Sequence, residues 1–193
     1  MSGASLRKAV ALVAVLNLAY FGVEFVVALH IGSASLLADS ADFFEDASVN
    51  FLIVAALGWS AQRRAQTGMA MAFILLLPAL AFVWTLIQKF SAPTVPDPVQ
   101  LGVTGLGALA INLFCAFQLA RFRRGAGSLT RAAWLSARND AIANVGIIGA
   151  GVATAFTHSI WPDVIVGLAI AAMNLDAAKA VWTAAREEHQ AQA

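Results

Sequence analysis

The chain has 193 residues, 60% of them hydrophobic and only 12% charged, against about 25% charge in an ordinary soluble domain. A net charge of +1 gives no ground for a nucleic-acid partner, which a basic excess would signal. The single cysteine, Cys115, excludes an internal disulfide and a cysteine-based zinc cluster; in an apolar run it reads as helix packing.

A helix needs about 20 apolar residues to cross the hydrocarbon core of a bilayer. The first such segment is Ala9–Leu29, preceded by Arg7 and Lys8. It resembles a secretory leader, with Ser33-Ala34-Ser35 as a cleavage site, but it exceeds the usual apolar region of about 7–15 residues. It also carries Asn17 and Glu24, so a retained first helix is expected. After a break at His30–Ser33 the second segment runs Ser35–Trp59. Gln62–Gly68 separates it from the third, Met69–Lys89, which Pro78 is expected to kink. Ser91–Pro98 (SAPTVPDP) cannot continue a helix. The fourth segment is Val99–Ala120, followed by the basic, glycine-containing stretch Arg121–Thr130. The fifth is Ala132–Thr157, a turn is expected at Trp161-Pro162, and the sixth is Val164–Ala184.

Basic residues alternate from loop to loop. Arg7 and Lys8, then Arg63 and Arg64, then Arg121, Arg123, Arg124 and Arg131, and finally Lys179 and Arg186 fall on one side. The opposite loops hold Lys89, Asp97, His158 and Asp163. By the positive-inside rule both termini are cytoplasmic. The expected fold is an all-α integral membrane protein, a single transmembrane domain over residues 1–193 with six transmembrane helices and no soluble domain.

Within the second segment stand four acids, Asp39, Asp42, Glu45 and Asp46. An aspartate at a helix centre costs on the order of 2.5–3.5 kcal/mol on insertion scales. Such groups face a protein interior and mark ion paths or proton relays. Each helical residue turns about 100°, so Asp39, Asp42 and Asp46 share one stripe. Asp42 and Asp46 are one turn apart, roughly 6 Å along the axis, and their carboxylates can converge on one cation. The fifth segment repeats the device: Ser136, Asp140 and Asn144 follow a four-residue spacing and offer oxygen donors on one face. The two segments run antiparallel, so Asp42, Asp46 and Asp140, completed by Ser136 or Asn144, are expected to form a four-ligand metal pocket. Asn17, Tyr20 and Glu24 give the first helix a polar stripe, and Asn112 in the fourth reads as a link between helices.

These spacings, with GSASLLADSADFFEDASVNFL in the second segment, RAAWLSARNDAIANVGIIGAG in the fifth and WPDVIVGLAIAAMNL at the sixth, resemble the cation diffusion facilitator family. The resemblance implies an exporter of divalent metals in exchange for protons, generally a homodimer. Its ligand pairs, four residues apart on helices two and five, map to Asp42 and Asp46, then Ser136 and Asp140. Where the family places His or Asp at the start of the second pair, this chain has Ser136. The family's cytoplasmic C-terminal domain has no counterpart here, so regulation through it is not expected.

An all-oxygen site suits Mn²⁺, Fe²⁺ or Mg²⁺, with Zn²⁺ or Co²⁺ as further candidates. Protons compete with the metal for the same carboxylates, and metal binding releases them. The expected function is a proton-coupled divalent metal efflux antiporter without a cofactor, multi-pass in a bacterial cytoplasmic membrane. The alternative is a non-transporting member that binds or regulates a partner. An intramembrane aspartyl protease is not expected, because neither a Tyr-Asp nor a Gly-x-Gly-Asp motif occurs.

Overall fold

The structure is a computed structural model that describes residues 3–56, 79–120 and 128–174. All regular structure among these residues is helical: α1 Gly3–Ile31, α2 Ala34–Ala56, α3 Ala79–Ser91, α4 Pro98–Ala120, α5 Ser128–Thr157 and α6 Trp161–Asn174. The stretches Ser5–Ile31, Pro98–Ala120 and Ser136–Thr157 are long and apolar enough to cross a membrane. The expected ends of the second and sixth segments, the kink at Pro78 and the start of the third lie outside the described residues.

Local chemistry sets the helix ends. Gly32 adopts a positive φ of 64°, and the Ser33 amide donates back to the Ala28 carbonyl at 2.9 Å, a glycine-closed helix end. The break between α1 and α2 is thus narrower than expected, since His30 and Ile31 remain helical. Ser33 also opens α2, its Oγ accepting the Leu36 amide at 3.2 Å, as an N-cap hydroxyl does. Asp97 caps α4 by accepting the Gln100 amide at 2.7 Å, with Pro98 at the first helical position, where its missing N–H costs nothing. The turn expected at Trp161-Pro162 falls earlier, at His158–Ile160, with His158 at a φ of 50°. Pro162 sits instead in the first turn of α6, a position its ring favours.

Helices α1 and α2 pack as one hairpin and α4 and α5 as another; α1 meets α4 and α2 meets α5, closing a four-helix arrangement. Helix α3 adds Ala81 and Phe82 to its core, and α6 adds Ile170. Where α6 crosses the start of α2, a Cβ at Gly167 would stand 2.9 Å from the Ala34 carbonyl carbon and the Ser35 nitrogen. Glycine permits that approach.

The interior has three levels. At one end Ala28, Leu36, Leu37, Leu101, Ile147 and Ile170 form an apolar cluster. At the other Val10, Val13, Cys115, Leu119 and Ala137 form a second; Cys115 is buried there, as its apolar setting predicts, with Sγ 3.6 Å from Asn17 Oδ1. Between them lie the buried polar groups Asn17, Glu24, Asp39, Asp46, Asn112 and Asn144. The outside is apolar instead: Val15, Val26, Val103, Phe117, Ile142 and Phe156 are all exposed. Apolar outside and polar at mid-height is the pattern of a chain surrounded by lipid.

A buried knot closes the end where α1 meets α2. Asp163, at the start of α6, accepts Ser33 Oγ at 2.6 Å, Ser35 Oγ at 2.7 Å and the amides of Ala34 and Ser35 at 2.9 and 3.0 Å. Lys89 Nζ, from the end of α3, approaches it at 3.3 Å and also donates to the Thr94 carbonyl.

Candidate functional site

Helix α2 carries its acids at spacings that distribute them around one side of the helix. Asp39 and Asp46 are buried, Asp42 is half-buried and Glu45 is exposed. Opposite, α5 presents Ser136 and Asp140, one turn apart and both half-buried. The two helices enclose a cavity of about 120 Å³, closed on a third side by α6. Its lining is Asp42, Glu45 and Asp46 from α2, Ser136, Asn139 and Asp140 from α5, and Met173 and Asn174 from α6.

Four of the five residues expected to bind metal therefore meet: Asp42, Asp46, Ser136 and Asp140. Ser136 Oγ donates to Asp46 Oδ1 at 2.9 Å, and the carboxyl of Asp46 faces that of Asp140. Among the described residues no three His, Cys, Asp or Glu side chains group closely enough to hold a metal ion as they stand.

Asn144, the fifth, lies apart from that cavity. It is fully buried, its Oδ1 accepts Asn112 Nδ2 at 2.9 Å, and its Nδ2 donates to Asp39 Oδ2 at 2.5 Å. With both ends of its amide engaged, Asn144 fastens α4 and α5 to α2. The role of Asn112 as a link between helices is borne out. Asp39 thus accepts a hydrogen bond from a side-chain amide of another helix.

Four cavity residues lay outside the expected ligand set. Asn139 is displaced by about 100° from Asp140 on the helix, so a search by four-residue spacing passes over it. Asn174 reads as a link between helices in sequence, yet it and Met173 close the third wall. Glu45, the flanking acid, also lines the cavity, so all the lining carboxylates but one come from α2.

The polar stripe of α1 also turns inward. Asn17 and Glu24 are fully buried, and Tyr20 donates its hydroxyl to the Thr104 carbonyl of α4 at 2.6 Å. Glycines let α4 and α5 approach closely: a Cβ at Gly105 would stand 2.8 Å from Ile147 Cγ2, and one at Gly151 would stand 3.1 Å from the Gly102 nitrogen, whereas one at Gly102 would meet nothing within 4 Å. A Cβ at Gly149 would meet nothing within 4 Å among the described residues beyond its own helix.

A comparison with curated proteins gives no match. The model of the cation efflux transmembrane domain matches residues 10–186, which takes in most of α1, all of α2 to α6 and the whole polar layer. Helices apolar on the outside and acids gathered at mid-height accord with that match, and the chain belongs to the cation efflux family of multi-pass membrane proteins that transport metal cations.

Proposed function

We propose that this chain exchanges a divalent metal ion for protons, with Asp42, Asp46 and Asp140 as the charged ligands and Ser136 as a neutral oxygen beside them. The observation that carries this reading is the meeting of these four side chains from two helices on one cavity at mid-height of the bundle. Intramembrane acids gathered around a cavity mark an ion site. Asn144 acts one layer back, holding Asp39 rather than the ion.

The lining donors are oxygens apart from the Met173 thioether and the amide nitrogens, which favours Mn²⁺ and Fe²⁺ ahead of Zn²⁺ or Co²⁺. Carboxylates bind metal in the deprotonated form, so metal entry displaces protons and proton entry displaces metal. Alternate exposure of the cavity to the two sides turns that competition into antiport. The distribution of basic residues supports cytoplasmic termini, and efflux across a bacterial cytoplasmic membrane, by a homodimer, completes the reading.

The test is flux into proteoliposomes over a panel of divalent ions, with and without a pH gradient. Uptake should depend on the gradient and fall to background in Asp46→Ala and Asp140→Ala. Metal flux at the wild-type rate in either variant would rule the cavity out.

A further inference from the structure

Glu24 on α1 is fully buried, and among the described residues no donor reaches either of its carboxyl oxygens. It faces Asp39 of α2 within hydrogen-bonding reach. Asp39 is also fully buried; its Oδ2 accepts the Asn144 amide, while its Oδ1 has no partner. Three unpartnered carboxyl oxygens thus converge between two helices at membrane depth. Tyr20, one turn away on the same face of α1, cannot supply the missing donor, because its hydroxyl is committed to the Thr104 carbonyl. Neither Glu24 nor Asp39 lines the metal cavity.

Two acids set face to face away from water repel each other unless something positive lies between them. A proton does so by making one group the donor to the other; a sodium ion does so by accepting oxygens from both. We propose that Glu24 and Asp39 form a second cation site, separate from the metal cavity, that binds a monovalent cation, a proton or a sodium ion. The Asn112–Asn144–Asp39 chain holds one wall of it rigid, while Glu24 supplies two free oxygens.

The site's place in exchange rests on the antiport reading above; its occupancy does not. Asp39 and Asp46 are two turns apart on α2, about 10 Å along the axis. A dication arriving beside Asp46 raises the local potential at Asp39 in a medium that screens little. Metal entry therefore expels the monovalent ion, and return of that ion weakens metal binding. The ionisable groups that interact with the pair are Tyr20 on α1, Asp42 and Asp46 on α2 and Asp140 on α5; Cys115 on α4 feels Asp46 and Asp140 instead.

The experiment is infrared difference spectroscopy on the full chain without divalent metal, comparing acid with alkaline buffer and sodium with potassium buffer. The expected result is a carboxyl band that responds to one of the two ions and is lost in Glu24→Gln, whose amide keeps the shape of the side chain and a donor for Asp39. Response to pH identifies a proton, and response to sodium a sodium ion. Asp39→Asn, which removes the partner, should shift or abolish the same band, and it serves where Glu24→Gln fails to fold. Added Mn²⁺ should reverse the band change in the wild type. Spectra of Glu24→Gln or Asp39→Asn that superimpose on the wild type would overturn the site. A wild-type Glu24 band that never responds to Mn²⁺ would count against the metal cavity and leave the second site standing.

Discussion

Ser136 Oγ donates to Asp46 Oδ1 at 2.9 Å, so the one uncharged member of the two ligand pairs is tied to a charged member of the other. A hydrogen bond to a charged group is worth about 1.5–3 kcal/mol, but water in the cavity can take over much of it. Ser136→Ala should therefore weaken Mn²⁺ binding by no more than about tenfold. Ser136→Asp places a second carboxylate one turn from Asp140 and should tighten binding by a similar factor, with steeper competition from protons. Isothermal titration across a pH series separates the two. Loss of all binding in Ser136→Ala would make the hydroxyl an obligatory ligand.

Asn144 bridges Asn112 and Asp39 from the middle of α5. Its removal leaves a carboxylate oxygen and an amide without partners inside the bundle, at about 1–3 kcal/mol for each such group. Asn144→Ala should lower the thermal unfolding temperature in detergent and change Mn²⁺ affinity less than tenfold, about 1.4 kcal/mol. Asp140→Ala should do the reverse, abolishing binding with little thermal penalty. If Asn144→Ala loses affinity as Asp140→Ala does, the amide contacts the ion directly.

Much of this layout is legible in the chain because a helix converts spacing into facing. The stripe Asn17, Tyr20, Glu24 and the pairs Asp42/Asp46 and Ser136/Asp140 turn inward as a rotation of about 100° per residue requires. What periodicity does not carry is the depth and tilt at which two helices cross. Asn144 shares a face with Asp140, yet it meets Asp39 rather than the cavity. Asn174 looks like a link between helices until α6 is seen to wall the cavity. The hydroxyl and amide donors to Asp163 lie 128 to 130 residues away in α2 and the turn before it. Lys89 stands beside Asp97 in sequence order, but Asp97 caps α4 and Lys89 goes to Asp163.

Gly167 brings α6 against the backbone at the start of α2, with no flexible side chain to yield. Gly167→Ala must move the helix, and such overpacking costs about 1–3 kcal/mol. Gly149→Ala has open space and gains helix propensity, up to about 1 kcal/mol. Thermal unfolding of the two variants in one detergent should move in opposite directions. A Gly167→Ala protein as stable as wild type would show that α6 slides freely over α2.

Lys89 and Asp163 form an ion pair with side chains 1% and 0% exposed, and the two members should not be equivalent. Asp163 has four further donors, from Ser33, Ala34 and Ser35, whereas among the described residues Lys89 has the Thr94 carbonyl alone besides. Removing one partner of a buried pair costs about 3–5 kcal/mol, chiefly from the charge left behind. After Lys89→Met the carboxylate keeps its hydroxyl and amide donors, so the loss should sit at or below the lower bound. After Asp163→Ala the ammonium is stranded and the turn between α1 and α2 loses its anchor, so the loss should reach the upper bound. Adding Lys89→Met to Asp163→Ala should then restore part of the stability, because the stranded charge is gone while the lost anchor is not. Chemical unfolding of the two single variants and the double variant gives the coupling directly. Equal losses in the single variants with no recovery in the double would show that the ion pair, rather than the anchored turn, sets the stability of this end of the bundle.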